Sequence, residues 1–307
     1  MAKAHIPVMA EETIKFLINK KDGVYVDCTL GTGGHFRKIS ENTDEAAVLI
    51  GFDADEDALN YCKKNLDIPQ KHIFINSNFE NLKKYCYRNG YLKINGILMD
   101  LGMSTFALDN PERGFAFEQE GPLDMRFSKD QEMKARDFVN TAGPEELRKV
   151  FKKYGEVRRP SAIINGIIEH RKDKQIETTA ELKQIIARRT PYKLRKKILS
   201  QVFQAIRIKV NNELEVLKNT LPQALELLEK GGNLVVISYH SLEDRIVKHF
   251  FKEKAKDCIC PPEFPICKCD HEAEVKILTG SPVVPDRQEI ENNPRARSAK
   301  LRAIEKL

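Results

Sequence analysis

Val24-Tyr25-Val26-Asp27-Cys28-Thr29-Leu30-Gly31-Thr32-Gly33-Gly34-His35 carries an apolar strand straight into a glycine-rich turn. At the spacing of roughly 20 residues at which nucleotide-binding βαβ units place a ribose acceptor, the chain reads Val48-Leu49-Ile50-Gly51-Phe52-Asp53. Gly31, Gly33 and Gly34 let the backbone turn sharply and approach a ligand without a Cβ in the way, and a carboxylate ending the next strand accepts both hydroxyls of a ribose. The first β-α-β unit therefore predicts a site for an adenosine-containing cofactor.

Working outward, strand signals at Val24–Asp27, Val48–Phe52, Ile73–Asn76 and Ile97–Asp100 alternate with helical ones near 33–41, 55–65 and 79–87. That alternation predicts a parallel, doubly wound α/β sheet with right-handed crossovers. A fifth strand, Leu234–Ser238, follows a helical run from Asn212 to Lys230 that Gly231-Gly232 is expected to stop. The long interval between strands four and five exceeds any single crossover helix, so it predicts an inserted domain. It opens with a turn-rich stretch, about 104–125, and continues as helices to 209 with a break at Thr190-Pro191. The expected division is a discontinuous cofactor-binding domain, 1–103 with 212–307, and a helical insertion, 104–211. The tail Ser298–Lys306 reads as the sheet's last strand, near Val275–Leu278.

With 307 residues and 41% apolar content the chain has ample material for a core. No stretch approaches the length of a membrane helix and the amino-terminal residues lack a secretion-signal core, so a cytoplasmic protein without membrane contact is expected. Lys and Arg exceed Asp and Glu by 51 to 45, and the distribution is more telling than the sum. Arg188, Arg189, Lys193, Arg195, Lys196 and Lys197 form one cationic run, and Arg295, Arg297, Lys300 and Arg302 another; either is a solvated face or a nucleic-acid contact. Of seven cysteines, Cys28, Cys62 and Cys86 are scattered, whereas Cys258, Cys260, Cys267 and Cys269 form a compact C-x-C-x6-C-x-C group. Four thiolates at that spacing suit a closed, structural zinc site; reduced thiols in a loop are the alternative.

The glycine turn lacks the third glycine of a G-x-G-x-x-G pyrophosphate loop. An acidic strand end, Asp27, suits the ammonium and sulfonium of S-adenosylmethionine better than it suits a pyrophosphate. Strand four ends in Asp100-Leu101-Gly102-Met103, so Asp27, Asp53 and Asp100 are expected to converge outside the carboxyl ends of three strands, where open α/β sheets bind ligands.

Seven segments carry a closer likeness: Gly33-Gly34-His35, Asp100-Leu101-Gly102, Arg113-Gly114-Phe115-Ala116-Phe117, Gly121-Pro122-Leu123-Asp124-Met125-Arg126, Phe203-Gln204-Ala205-Ile206-Arg207, His240-Ser241-Leu242-Glu243-Asp244-Arg245 and Asn293-Pro294-Arg295-Ala296-Arg297-Ser298. In order and over nearly the whole chain they resemble the MraW, or ribosomal RNA small subunit methyltransferase H, family. The resemblance implies a class I methyltransferase fold and methyl transfer from S-adenosylmethionine to the exocyclic N4 of one cytidine in the decoding centre of 16S ribosomal RNA, within the small subunit. It also implies cofactor contacts on Gly33, Gly34, His35, Asp53, Phe79 and Asp100. A glutamine that the family carries further along is here Ala107, so that contact is left without its side chain.

Cytosine N4 is a weak nucleophile, and an acceptor that orients it would help; Asp100 or a nearby carbonyl is the candidate, although Asp100-Leu101-Gly102-Met103 is not the D/N-P-P-aromatic motif of many amine methyltransferases. His35 is read either as a ligand contact or as an ordinary helix-start residue. The base must also be unstacked. Phe106, Phe115, Phe117, Arg113 and Arg126 are candidates for a stacking pocket or for the packed core of a loop, and His240 and Arg245 for substrate contacts or for a loop lock. Oligomeric state is open, a homodimer included. Methylation of a small molecule or a protein, and an RNA-binding assembly factor that senses the cofactor, are the rival readings.

Overall fold

The computed structural model describes residues 6–103, 105–258, 260, 268, 269 and 271–307, with backbone only for Thr105 and Phe106. It divides into two compact units, Met1–Gly102 with Leu214–Leu307, and Met103–Glu213.

The first unit is built on seven strands: β1 Val24–Asp27, β2 Val48–Asp53, β3 Lys71–Asn76, β4 Ile94–Asp100, β5 Leu228–Ser238, β6 Val275–Ile277 and β7 Lys300–Lys306. Their order is β3-β2-β1-β4-β5-β7-β6. The first five run parallel, and β7 is antiparallel to both β5 and β6. The order reverses between β1 and β4, the switch point at which open sheets hold ligands. This is the class I methyltransferase sheet expected from the sequence. The central strands are near-continuous runs of Val, Ile and Leu because helices cover both faces. One layer packs Val26, Ile50, Phe52, Ile97 and Val236 against the Glu213–Leu227 helix, and the other packs Tyr25, Leu49, Leu98 and Ile237 against Leu17, Phe36 and Ile39.

Three expectations need correction here. The Glu213–Leu227 helix ends before Gly231-Gly232, and both glycines lie inside β5. Between the pairs Ile94–Leu228 and Gly96–Asn233 the register shifts, so β5 carries a bulge; Gly231 supplies its positive φ of 79°. The helix expected over 79–87 is a single tight turn, Phe79–Asn81, followed by the helix Leu82–Arg88. The second cationic run is not uniformly solvated, because Arg302 is 9% exposed and donates to both carboxylate oxygens of Asp244, at 2.6 and 3.3 Å.

The second unit is helical, with Ala135–Thr141, Pro144–Lys153, Ser161–Asp173, Thr179–Arg188 and Arg195–Asn211 enclosing their own core of Phe138, Leu147, Phe151, Ile164, Ile186, Phe203 and Ile206. Thr178 and Glu181 form a reciprocal cap at the start of the fourth. No helix of the described residues is long and apolar enough to cross a membrane.

Candidate functional site

The crevice is assembled at the carboxyl ends of β1, β2 and β4. β1 ends in Asp27, 1% exposed. Its Oδ1 accepts from the Thr29 amide at 3.0 Å and from the Thr29 hydroxyl at 3.4 Å, whereas Oδ2 is buried with no partner. A buried unsatisfied carboxylate oxygen is costly, and native proteins keep such atoms where a ligand completes them. Burial pushes the Asp27 carboxyl up to about 6.

The chain then turns through Gly31 and Gly33, whose φ values are 52° and 78°. At Gly33 the left-handed conformation favours glycine, and a Cβ would also press on Leu66 Cδ1 at 2.5 Å. The turn is clasped to β2: Asp53 Oδ2 accepts from the Gly31 amide at 2.7 Å and Oδ1 from the Asp55 amide at 2.8 Å. Each oxygen keeps lone-pair capacity, so the carboxylate can still accept a pair of vicinal hydroxyls. Desolvation raises this carboxyl too, to about 6, against the lowering effect of those two amides. The end of β3 joins the same rim, with the Ser77 amide donating to the Asp53 carbonyl at 3.0 Å. Phe79 follows, half-buried against the sheet core.

Asp100 closes the third side. Its amide donates to Thr29 Oγ1 at 2.8 Å and its Oδ1 accepts from the Gly102 amide at 3.2 Å. His35, 6% exposed, sits between this carboxylate and the N-terminal segment: Nδ1 lies 3.6 Å from Asp100 Oδ2, and Nε2 donates to the Val8 carbonyl at 2.9 Å. The imidazole is therefore held by the Val8 carbonyl at Nε2 and turns Nδ1 toward the Asp100 carboxylate, and Asp27, Asp53 and Asp100 do meet around the glycine turn.

Several groups here carried no readable signal in the sequence. Thr29 bridges Asp27 and the Asp100 amide, tying β1 to β4 at the switch point. Val8 and Met9, 5% and 1% exposed, lie against His35, and Met9 is held there by Glu289 Oε1, which accepts its amide at 2.6 Å across the length of the chain. Tyr239, just beyond β5, lies over Gly102, where a Cβ would come within 2.8 Å of its ring. Burial first, and then the neighbouring Asp100 carboxylate, hold its phenol well above the usual tyrosine range. A hydrogen-bonding group placed next to Asp100 by a strand end is visible only once β4 and β5 are known to be adjacent.

The remaining candidates fall elsewhere. His240 caps the Ser241–Lys254 helix, its Nδ1 accepting from the Glu243 amide at 3.4 Å; Nε2 is 3.0 Å from Glu243 Oε1 but out of line for a hydrogen bond. Glu243 Oε2 in turn accepts from the Tyr239 amide at 2.9 Å, so this segment locks the loop that carries Tyr239. Arg245 is exposed on the same helix. In the other unit, Arg113 is 6% exposed and its guanidinium donates to the carbonyls of Arg126 and Phe127, both at 2.9 Å. Arg126 grips Asp124 with two bonds of 2.7 and 2.9 Å and also donates to the carbonyls of Lys129 and Gln131. Phe115 is 6% exposed and stacks on Phe127 at 5.5 Å. Arg113, Phe115 and Arg126, read from the sequence either as a stacking pocket or as the packed core of a loop, are thus engaged with protein groups here. Ala107 is 4% exposed in the same core. The side chain of Phe106, and Cys267, lie outside the described residues.

The chain matches the model of the MraW methylase family over residues 2–307. A protein of Carboxydothermus hydrogenoformans named ribosomal RNA small subunit methyltransferase H is 47% identical to it, covering 100% of this chain and 99% of that one. A protein of the same name from Clostridioides difficile is 46% identical over 99% of each. A solved structure of a Streptococcus mutans putative methyltransferase in complex with SAH aligns with 99% of this chain and 100% of that one, at 14% identity and a TM-score of 0.45.

Proposed function

The chain belongs to the MraW methylase family, and from that premise we propose that it transfers a methyl group from S-adenosylmethionine to 16S ribosomal RNA, at the exocyclic N4 of a cytidine in the decoding centre of the small subunit. The observation that carries the reading is the buried, unpartnered Asp27 Oδ2 beside a glycine turn clasped by Asp53. An orphaned carboxylate oxygen asks for a cationic donor, and a second carboxylate with spare acceptor capacity asks for a diol. One molecule with an ammonium, a sulfonium and a ribose answers both, so the residues present fit this cofactor.

When bound, the cofactor supplies an electrophilic methyl on sulfur. Asp27 and the turn bind its charged end, Asp53 accepts its ribose hydroxyls, and Phe79 offers an apolar ring at the β3 rim. Asp100 is the acceptor for the incoming amine: a hydrogen bond from one N4–H to the carboxylate would turn the nitrogen's lone pair toward the sulfonium methyl and restrain the amine to one orientation, the thioether leaving as the methyl is transferred and the amine's surplus proton passing to the carboxylate or solvent. Positioning of this kind is the main contribution a protein makes to an in-line transfer. Tyr239 and His35 flank the Asp100 carboxylate.

The helical unit supports an RNA substrate by its surface. Tyr192 is 82% exposed, the Arg195 guanidinium stands 5.4 Å from its ring centroid, and the neighbouring residues in sequence, Lys193, Lys196 and Lys197, are exposed. An exposed aromatic flanked by cations suits stacking on an unpaired base and contact with phosphate. The cytoplasm, where ribosomes are assembled, is the compartment this function requires. The test is to incubate small subunits from a strain lacking the enzyme with methyl-tritiated cofactor and map the label. Incorporation at a cytosine amine supports the reading; label on a ring carbon or a ribose oxygen, or none in 16S RNA, overturns it.

A further inference from the structure

We propose that Cys258, Cys260 and Cys269 are ligands of a structural, thiolate-bound zinc that organises the loop between the Ser241–Lys254 helix and β6. The methyl-transfer reading neither needs nor supplies this site. The three Sγ atoms lie within 4.8 Å of one another. Cys258 and Cys269 Sγ are 3.8 Å apart, and a tetrahedron with Zn–S bonds of about 2.3 Å has an edge of about 3.8 Å. A disulfide would require roughly 2.05 Å, so the pair is apposed and not bonded.

The backbone is already arranged for charged sulfur. The Cys260 amide donates to Cys258 Sγ at 3.4 Å and the Lys268 amide donates to Cys260 Sγ at 3.3 Å. Amide donors aimed at sulfur stabilise a thiolate over a thiol and orient the lone pairs left for a metal.

The loop is tied at its base. Its ends are pinned where the Glu274 amide donates to the Lys254 carbonyl at 2.9 Å and Lys254 Nζ pairs with Glu274 at 2.7 Å. Between Phe251 and Val275, no described residue belongs to the buried apolar core. Where the described residues add nothing to the core, a bound metal can supply the cross-link that fixes a loop's shape. The sequence pattern offers Cys267 as the fourth thiolate, whereas His271 is not in the group of mutually close ligand atoms.

Location decides the class of site. β6 runs antiparallel to β7, and β7 antiparallel to β5, so β6 begins at the amino edge of the sheet, opposite the crevice. An ion held there touches no reacting atom, and three or four thiolates leave no position for substrate chemistry.

Full-length protein purified after expression in zinc-supplemented medium should contain about one zinc per chain. Cys258→Ser and Cys269→Ser should each lower that content at least about tenfold. Cobalt added to the metal-stripped wild type should give the sulfur-to-cobalt charge-transfer band and intense visible bands of a tetrahedral thiolate site. Cys267→Ser is expected to weaken them and His271→Ala to leave them unchanged. Proteolysis should cut within 255–273 in stripped protein and spare reloaded protein, while methyl transfer by Cys258→Ser stays within about threefold of wild type, because the loop is remote from the crevice. Wild type that stays largely metal-free with the thiols reduced, or metal content unmoved by the Cys258 and Cys269 substitutions, overturns the assignment.

Discussion

The segment 27–35 in the cofactor crevice and the segment 111–127 of the helical unit are both punctuated by glycine and both carry a carboxylate held at a turn, yet they treat their polar groups in opposite ways. The loop of the helical unit consumes its own: Arg113 and Arg126 are taken up by carbonyls and by Asp124, and at Gly121 a Cβ would stand 1.9 Å from the Pro111 carbonyl oxygen. Against the raising effect of burial, Arg126 holds the Asp124 carboxyl below its usual range. The crevice withholds its groups: Asp27 has an orphaned oxygen, and both Asp27 and Asp53 sit near 6 because burial outweighs the groups that lower them, His35 and the Thr29 amide for Asp27 and the Asp55 and Gly31 amides for Asp53. Charge density in a loop therefore does not mark a site. What marks it is charge that the fold has left incomplete.

The sharpest break between the two regions is catalytic. Asp100→Ala should lower methyl transfer by about a hundredfold or more, since it removes the group that orients the amine, while leaving RNA affinity within about twofold. Equal loss of kcat and kcat/KM in steady-state assays is the expected pattern; a change confined to KM would place Asp100 in binding alone.

Next in size is stability in the second loop. Arg113→Ala removes a buried guanidinium and strands two carbonyls, and should cost about 2–4 kcal/mol in denaturant unfolding. Its footprint in hydrogen exchange should fall on 111–127 and the helices packed there. An Arg113→Ala protein with unchanged stability and weakened RNA binding would return this residue to the substrate-contact reading.

The crevice should show itself through pH. A carboxyl raised to about 6 on folding, from its ordinary value of 3.8, holds its proton over that interval in the folded chain, so these two groups make the cofactor-free protein lose stability as pH rises through it. Cofactor binding runs the other way, because the cation and the diol need ionised acceptors: affinity should be full above pH 7 and fall as pH drops through about 6, by about tenfold or more at pH 5. Calorimetric titration across pH 5–8 measures this directly. Affinity flat over that range would mean that neither Asp27 nor Asp53 changes its proton on binding.

Most of the sheet was legible because its strands are continuous apolar runs and its ligand edge is punctuated by Gly33 and three strand-end aspartates. The bulge in β5 was not, since Gly231-Gly232 after a helical run is the same signal that ends a helix; only the β4–β5 register distinguishes them. Tyr239, Glu289 and the Val8–Met9 segment were unreadable for a different reason. Each acts across the fold, and a hydrogen bond between Met9 and Glu289 leaves no periodicity to detect. Arg113 and Phe115 illustrate the converse, residue types suited to RNA that close packing has turned inward.

The smallest effect concerns what the helical unit does present outward. Near Tyr192 in the chain the cations are not in a common position: Arg189 pairs with Glu169, Arg195 lies over the ring, and Lys193, Lys196 and Lys197 are exposed. If these lysines meet phosphates, replacing all three by alanine should weaken RNA binding by several-fold at moderate salt and lower the slope of log affinity against log salt by up to about 2–3. Tyr192→Ala should weaken binding by about fivefold to a hundredfold without changing that slope, because stacking on a base releases no counterions. Neither change touches the core, so unfolding midpoints should stay within about 0.5 kcal/mol of wild type. A salt slope that the triple substitution leaves unmoved would show that the phosphate backbone is met elsewhere, and would leave this patch as an ordinary solvated surface, the counterpart of the inward-turned loop and not its functional opposite.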